Sequence, residues 1–439
     1  MKFRKPTQRQ FFLTLSFFCF ILAILTFICP PESLLIVLYN SRYINKEDFL
    51  VIKNYAKRYN SNIIDVKDFK SAADIYHFLK QNFSRYAVAN KIKGVQIFGT
   101  AKSVPSFKFE FKCLHVEGGI DYGLWYWSPF ISDFCYSNFA ADASTLHQKM
   151  NIYDIINEKK QFSFIPQWQI ARLPLKRGEY TKYIQKYNDF KAKALPNILP
   201  ISAFVCSIAE KPGNPDDLCC FLKERLDKEC SLLAPGSYRL FGNSEGIFAI
   251  TSKCDGDYSR ENIEKENKSG IRNIVIMTHG RKNRVTHSVT IEKPKTEKSS
   301  LTTQKLVLRN FLNLQDVNTV LKHNYYTLTA WSCWLARDLD SHNMAHEILT
   351  GQCIDVLGAT CILANNDFNK DAPLEKLEDS NPFFFFLEFF KNLDIGYSRC
   401  ESFFRAKASY ASALLNHTSN GNYQYNLHNV LVHHFLGLI

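Results

Sequence analysis

The sequence predicts an α/β fold: two stacked α/β subdomains with mostly parallel sheets flanked by helices, behind an N-terminal transmembrane helix. Three observations predict it. Short apolar runs alternate with amphipathic stretches of helical length, the pattern of βαβ units and a parallel sheet. A segment flanked by prolines, residues 194–200, divides that series in two. An uncharged apolar run stands near the N-terminus behind Lys2, Arg4, Lys5 and Arg9.

That run covers residues 11–29, which is 19 positions (29 − 11 + 1), close to the ~20 that span a bilayer as a helix. Pro30 and Pro31 end it. A cleaved signal has a shorter apolar core, of about 7–15 residues, and ends in small residues. Here the run ends Thr26-Phe27-Ile28-Cys29, so the expectation is an uncleaved single-pass anchor. The basic tail, residues 1–10, stays cytoplasmic and the rest lies outside the cytoplasm.

In the first subdomain, residues 30–195, strands are expected at 33–39, 62–66, 93–98 and 167–175, with helices at 46–59, 72–83 and 179–193. Residues 100–165 read as a loop-rich insertion, because glycines and the aromatic run GLWYWSPF break the rhythm. In the second, residues 196–439, strands are expected at 201–209, 238–241, 271–277, 325–330 and 353–363. Helices are expected at 217–232, 314–321, 344–349, 382–392 and 398–415. Residues 281–309 are polar and lysine-rich and read as a mobile loop.

A chain of 439 residues exceeds one ordinary core and suits two units of about 150–200 residues. With 46% hydrophobic and 22% charged residues, most of it should fold. The net charge is +12 and the pI near 9.0. The basic residues are spread along the chain with no nucleic-acid motif beside them, so they read as a solvated surface and no nucleic-acid partner is expected. The 13 cysteines are odd in number and show neither C-x-x-C nor zinc-like spacing. His342, His346 and Glu347 cluster on one stretch, but the order is not H-E-x-x-H and no third ligand follows. No metal or cofactor is expected. Asn82, Asn267 and Asn416 begin N-x-Ser/Thr sequons, which matter only where exported proteins are glycosylated.

Two apolar strands end in reactive residues. One delivers His279-Gly280 and the other Ser332-Cys333. In open parallel sheets, sites lie beyond the carboxyl ends of the strands. A thiolate is the nucleophilic form of cysteine, and a neighbouring imidazole promotes it. Glycine after the histidine lets backbone N–H groups approach a substrate carbonyl as an oxyanion hole. The bland alternative is a core cysteine and a satisfied histidine.

From these residues outward, the chain resembles the gingipain-type cysteine peptidases, relatives of the caspases in one clan. The resemblance runs in order along residues 30–439. Val95-Gln96-Ile97-Phe98-Gly99 with Val104-Pro105 resembles the family's apolar strand, Gly and Ile-Pro. Ser132-Asp133 with Tyr136 resembles its Ser-Asp-x-x-Tyr, and Ile170-Ala171-Arg172-Leu173-Pro174 its Ile-Gly-Arg segment. His279-Gly280 resembles its Gly-His-Gly and Ser332-Cys333 its small-residue-Cys. Phe404-Arg405-Ala406-Lys407 resembles its Ala-Lys helix, and Phe435-Leu436-Gly437 its final Phe-Gly. The dyad residues stand 54 positions apart (333 − 279), similar to a caspase spacing of about 50.

The resemblance implies a caspase-like second subdomain and a peptidase acting on protein or peptide substrates. Cys333 would be nucleophile, His279 base, and the N–H groups of Gly280 and Cys333 the oxyanion hole. It further implies Glu210 as the carboxylate orienting the histidine and Asp217 as the substrate-binding acid for a basic P1 side chain. Helix capping is an equal account of Asp217, and an exposed loop acid of Glu210. Thr278 stands where the family has glycine, the glycine it has soon after the cysteine is absent from Trp334-Leu335-Ala336, and Leu438-Ile439 stand where it has Asp-Pro. The rival expectation is a catalytically inactive, membrane-tethered binding protein on the same scaffold.

Overall fold

The run LLIVLY is apolar at every position, so a strand made from it must be covered on both faces. It forms β1 (Leu34–Tyr39), buried up to Leu38. The computed structural model describes residues 33–117, 120–142, 145–146, 150–193, 202–207, 238–242, 256–257, 260–270, 273–292, 304–361, 382–416 and 423–439. The apolar run 11–29, with Glu210 and Asp217, lies outside them. No helix among the described residues is long and apolar enough to cross a membrane.

After β1 come α1 (Lys46–Ala56), β2 (Ser61–Asp65), α2 (Ala72–Val88) and β3 (Ile92–Phe98). Asn45 and Ser71 cap the two helices, their side chains accepting from the Asp48 and Asp74 N–H groups. Helix α2 buries Ala72, Ile75, Tyr76, Leu79 and Phe83, a stripe at helical spacing that faces the sheet. Next are β4 (Phe107–Glu117), β5 (Ile120–Ser132), α3 (Ile152–Asn157), β6 (Gln169–Leu173) and α4 (Tyr180–Lys193). The segment expected to be loop-rich therefore contains a long antiparallel ribbon, β4 against β5. Each strand satisfies the other's main chain, which a sequence scan for separate sheet strands does not detect.

The second half contains β7 (Ser202–Ser207), β8 (Tyr238–Gly242), β9 (Gly256–Asp257), α5 (Arg260–Ser269) and β10 (Asn273–Arg281). Then follow β11 (Arg284–Glu292), β12 (Gln304–Asn313), α6 (Val317–Val320), β13 (Tyr326–Trp331) and α7 (Met344–Thr350). The chain finishes with β14 (Cys353–Ala359), α8 (Pro382–Asp394), α9 (Arg399–Asn416), α10 (Tyr423–Val432) and β15 (His433–Leu436). The lysine-rich stretch expected to be a mobile loop is largely the hairpin β11–β12. Its β-branched residues, among them Val285, Thr286, Val289, Thr290 and Ile291, suit a pleated ribbon whatever its charge.

Thirteen described strands form one sheet, ordered β2-β1-β3-β6-β15-β14-β13-β10-β7-β8-β9, with β11 and β12 extending from β10. Strands β2, β1, β3 and β6 are mutually parallel. So are β14, β13, β10, β7, β8 and β9. Strand β15 joins the halves, antiparallel to β14 and bridged to β6 at Leu436–Arg172. The halves, expected as two stacked subdomains with mostly parallel sheets, thus share one mostly parallel sheet, edge to edge. The reason is β15: its HHFL sequence does not read as a strand, yet it hydrogen-bonds to both sides.

Candidate active site

Strands β10 and β13 are neighbours and parallel, in register from Asn273–Thr327 to Met277–Trp331. Two residues further along each lie His279 and Cys333. The strand ends touch at Gly280. A Cβ placed there would stand 2.0 Å from Ser332 Oγ and 2.4 Å from the Cys333 carbonyl oxygen. Only glycine allows that approach, and the constraint is contact, since Gly280 is not among the residues of positive φ. On its other edge β10 turns into β11, pairing Arg281 with Arg284, Gly280 with Val285 and His279 with Thr286. In a two-residue hairpin the closing pair exchanges both hydrogen bonds and the next does not. The Gly280 main chain is therefore directed away from β11.

Cys135, Cys353, Cys361 and Cys400 are buried, whereas Cys333 is partly exposed. Burial pushes the thiols of Cys135, Cys353 and Cys400 up, which makes them poor nucleophiles. Ser332, next to Cys333, is buried, and its Oγ has no hydrogen-bond partner among the described residues.

The chain beyond Cys333 is strained. Trp334, Asp338 and Leu339 have φ of 56, 62 and 43°, a region costing about 1–2 kcal/mol for an ordinary residue. From Trp334 the chain doubles back along β14. The Trp334 and Ala336 N–H groups donate to the Cys361 and Ala359 carbonyls at 3.1 and 2.9 Å. Leu335 and Ala336 are buried, and Leu335 O accepts from the Ala345 N–H of α7 at 3.1 Å.

Of the other sequence candidates, Glu210 and Asp217 fall outside the described residues. His346 Nε2 lies 3.0 Å from Glu179 Oε2, and Glu347 Oε1 accepts from Asn318 Nδ2 at 3.0 Å. Among the described residues, no group of three or more His, Cys, Asp and Glu side chains is placed to hold a metal ion.

The remaining family-like motifs converge elsewhere, on a buried ionic hub. Arg172, on the apolar strand β6, is fully buried. Its Nε and Nη2 donate to Asp133 Oδ2 and Oδ1 at 2.6 and 2.7 Å. Ser106 Oγ accepts from Nη2 at 3.0 Å and donates to Asp133 Oδ1 at 2.7 Å. Burial alone would raise the Asp133 carboxyl, but the Arg172 charge and hydrogen bonds override it and hold it below its usual value. Lys407, also buried, donates to His433 O at 2.8 Å, and burial lowers its ammonium to about 7. The Arg172 carbonyl accepts from the Gly437 N–H at 2.9 Å. Sequence reasoning noted these motifs one by one and gave the hub no role. An arginine inside the apolar Ile170–Leu173 run was the available signal for it.

No family model matches the chain, and no curated protein matches it. Solved structures do. The crystal structure of the Arg-specific cysteine proteinase gingipain R (RgpB) superposes with a TM-score of 0.55 at 12% identity, over 92% of this chain and 77% of that one. A complex of Porphyromonas gingivalis RgpB pro- and mature domains gives 0.56 at 11%, over 92% and 78%. The structure of another protease gives 0.56 at 10%, over 92% and 77%. In fold, this chain resembles the gingipains over almost its whole length.

Proposed function

We propose that the chain is a cysteine endopeptidase in which Cys333 is the nucleophile and His279 its general base. The observation that carries this is the packing of Gly280 on Ser332 and Cys333, which sets the strand end bearing His279 beside a partly exposed thiol. The Cys333 thiolate attacks a peptide carbonyl and forms a thioester as the C–N bond breaks. His279 delivers the proton to the leaving amine, then draws one from the water that hydrolyses the thioester. The N–H groups of Gly280 and Cys333 hold the oxyanion. In this scheme Glu210 orients His279, and Asp217 receives a basic P1 side chain through a charge-assisted contact. Residues 11–29 anchor the enzyme in a membrane, with the catalytic part outside the cytoplasm. The gingipain-like fold supports a peptidase scaffold over an unrelated binding module.

The test is Cys333→Ala. It should abolish cleavage of a peptide library and labelling by a thiol-directed peptide probe, with the melting temperature kept. Labelling that persists in Cys333→Ala and disappears on mutating another cysteine overturns the assignment. A parent that neither cleaves nor labels leaves the tethered binding protein.

A further inference from the structure

Residues in left-handed conformations persist only where their surroundings over-determine them. Trp334, Asp338 and Leu339 follow Cys333 within six positions. Hydrogen bonds to β14 hold the near end of that segment. Its far end is held from the other half of the sheet, where the Ala101 N–H donates to the Leu339 carbonyl at 3.1 Å. Ala101 belongs to loop 99–104, between β3 and β4, and Arg172 clamps this loop at both ends. Its Nη1 donates to Gly99 O at 2.7 Å and its Nη2 to Val104 O at 3.0 Å. Asn40 Nδ2 adds a bond to Ser103 O at 2.8 Å. The guanidinium itself is fixed by both oxygens of Asp133. A contiguous chain of bonds, buried at Asp133 and Arg172 and partly buried at Ala101, therefore runs from Asp133 to the segment that begins at Cys333.

We propose that the Asp133–Arg172 pair and the loop it clamps are positioning residues for Cys333, holding the left-handed segment behind the thiol through the single bond from Ala101 to Leu339. This rests on the peptidase reading above. Arg172 and Asp133 touch no reacting atom in it. They act by fixing where the segment after the nucleophile ends, and hence how Cys333 is presented to His279.

Ala101 offers a clean test. It is the second residue of a turn closed by the Ser103 N–H on Thr100 O at 3.0 Å, a position that accepts proline. Ala101→Pro deletes one N–H and puts its ring Cδ where that hydrogen pointed, so the Leu339 carbonyl must move away, while both members of the buried ion pair are kept. The readout is alkylation of Cys333 by iodoacetamide at pH 6 and pH 9, followed by mass spectrometry on the peptide that carries it. A thiolate paired with an imidazole keeps much of its rate at pH 6, whereas a free thiol loses it. In Ala101→Pro the ratio of the pH 6 to the pH 9 rate should fall about tenfold in protein that circular dichroism shows to be folded. Ala101→Gly, which keeps the N–H, should retain the parent ratio. Ser106→Ala loosens the clamp more gently and should lower the ratio by a smaller factor, and it decides the matter if Ala101→Pro does not fold. An unchanged ratio in the folded variants overturns the positioning role and leaves the peptidase reading standing. A parent whose ratio is already that of a free thiol removes the peptidase reading, and the positioning role with it.

Discussion

The Arg172 guanidinium is bonded through all three of its nitrogens and is closed off from solvent. The Cys333 thiol is partly exposed, the hydroxyl beside it has no partner among the described residues, and the chain behind it holds three non-glycine residues at positive φ. The two regions belong to opposite halves of one sheet. In the first, burial of charge is compensated bond for bond, which fixes a unique arrangement. In the second, local rules of backbone and hydrogen bonding are broken, as they are where a fold carries chemistry. The difference teaches that the family-like motifs of this sequence do two jobs. Some supply the strand ends at the candidate site, and others form the buried ion pair that clamps loop 99–104, the neighbour proposed above to brace the segment after Cys333.

The comparison breaks most decisively at Asp133. Asp133→Ala leaves Arg172 charged and buried without its carboxylate, a change that costs about 3–5 kcal/mol when one partner of a buried pair is removed. Removing the thiol in Cys333→Ala, a partly buried side chain packed against the core, should cost only about 1 kcal/mol. Urea unfolding of both variants measures this. Equal losses at the two sites would remove the distinction between a structural hub and a functional strand end.

Gly280 sharpens it next. In Gly280→Ala the new methyl would meet Cys333 main chain, which gives way far less readily than a side-chain tip. Overpacking of this kind costs about 1–3 kcal/mol. The strain should fall between β10 and β13 and separate His279 from Cys333. The expected outcome is a modest fall in stability with a large fall in Cys333 labelling by a peptide probe. Labelling at the parent rate would show that the strand ends need not touch.

How much of this was legible in the sequence follows from how local each signal is. Strands β1, β3, β10 and β13 were readable because each is an apolar run bounded by polar or turn residues. Strand β15 was not, because His433 and His434 do not resemble a strand core. Only the fold shows that both are buried, His434 beside Asp133. The β4–β5 ribbon was missed because its residues find partners in each other and not in the main sheet. At the candidate site, His279, Gly280 and Cys333 were legible as strand-end residues. Their meeting at Gly280 was not, since it depends on which strands become neighbours. The Asp133–Arg172 pair joins residues 39 positions apart, and nothing local to either residue states that distance.

The smallest effect is expected at Trp334, where the sign is itself informative. Trp334 sits at φ 56°, in the left-handed region that favours glycine. Trp334→Gly removes a left-handed penalty of about 1–2 kcal/mol. It also frees the unfolded chain, which costs about 0.5–1 kcal/mol, and gives up the contact of the ring with the Arg337 guanidinium, 5.8 Å from its centroid. Such an exposed cation–ring contact contributes about 0.5–1 kcal/mol. The terms nearly cancel, so chemical unfolding should find Trp334→Gly within about 1 kcal/mol of the parent, on either side. Fold and labelling should both survive, because the segment would still be held by β14 at one end and by Ala101 at the other. A loss of several kcal/mol would mean instead that the tryptophan ring, and not the bracing from loop 99–104, keeps the segment behind Cys333 in place.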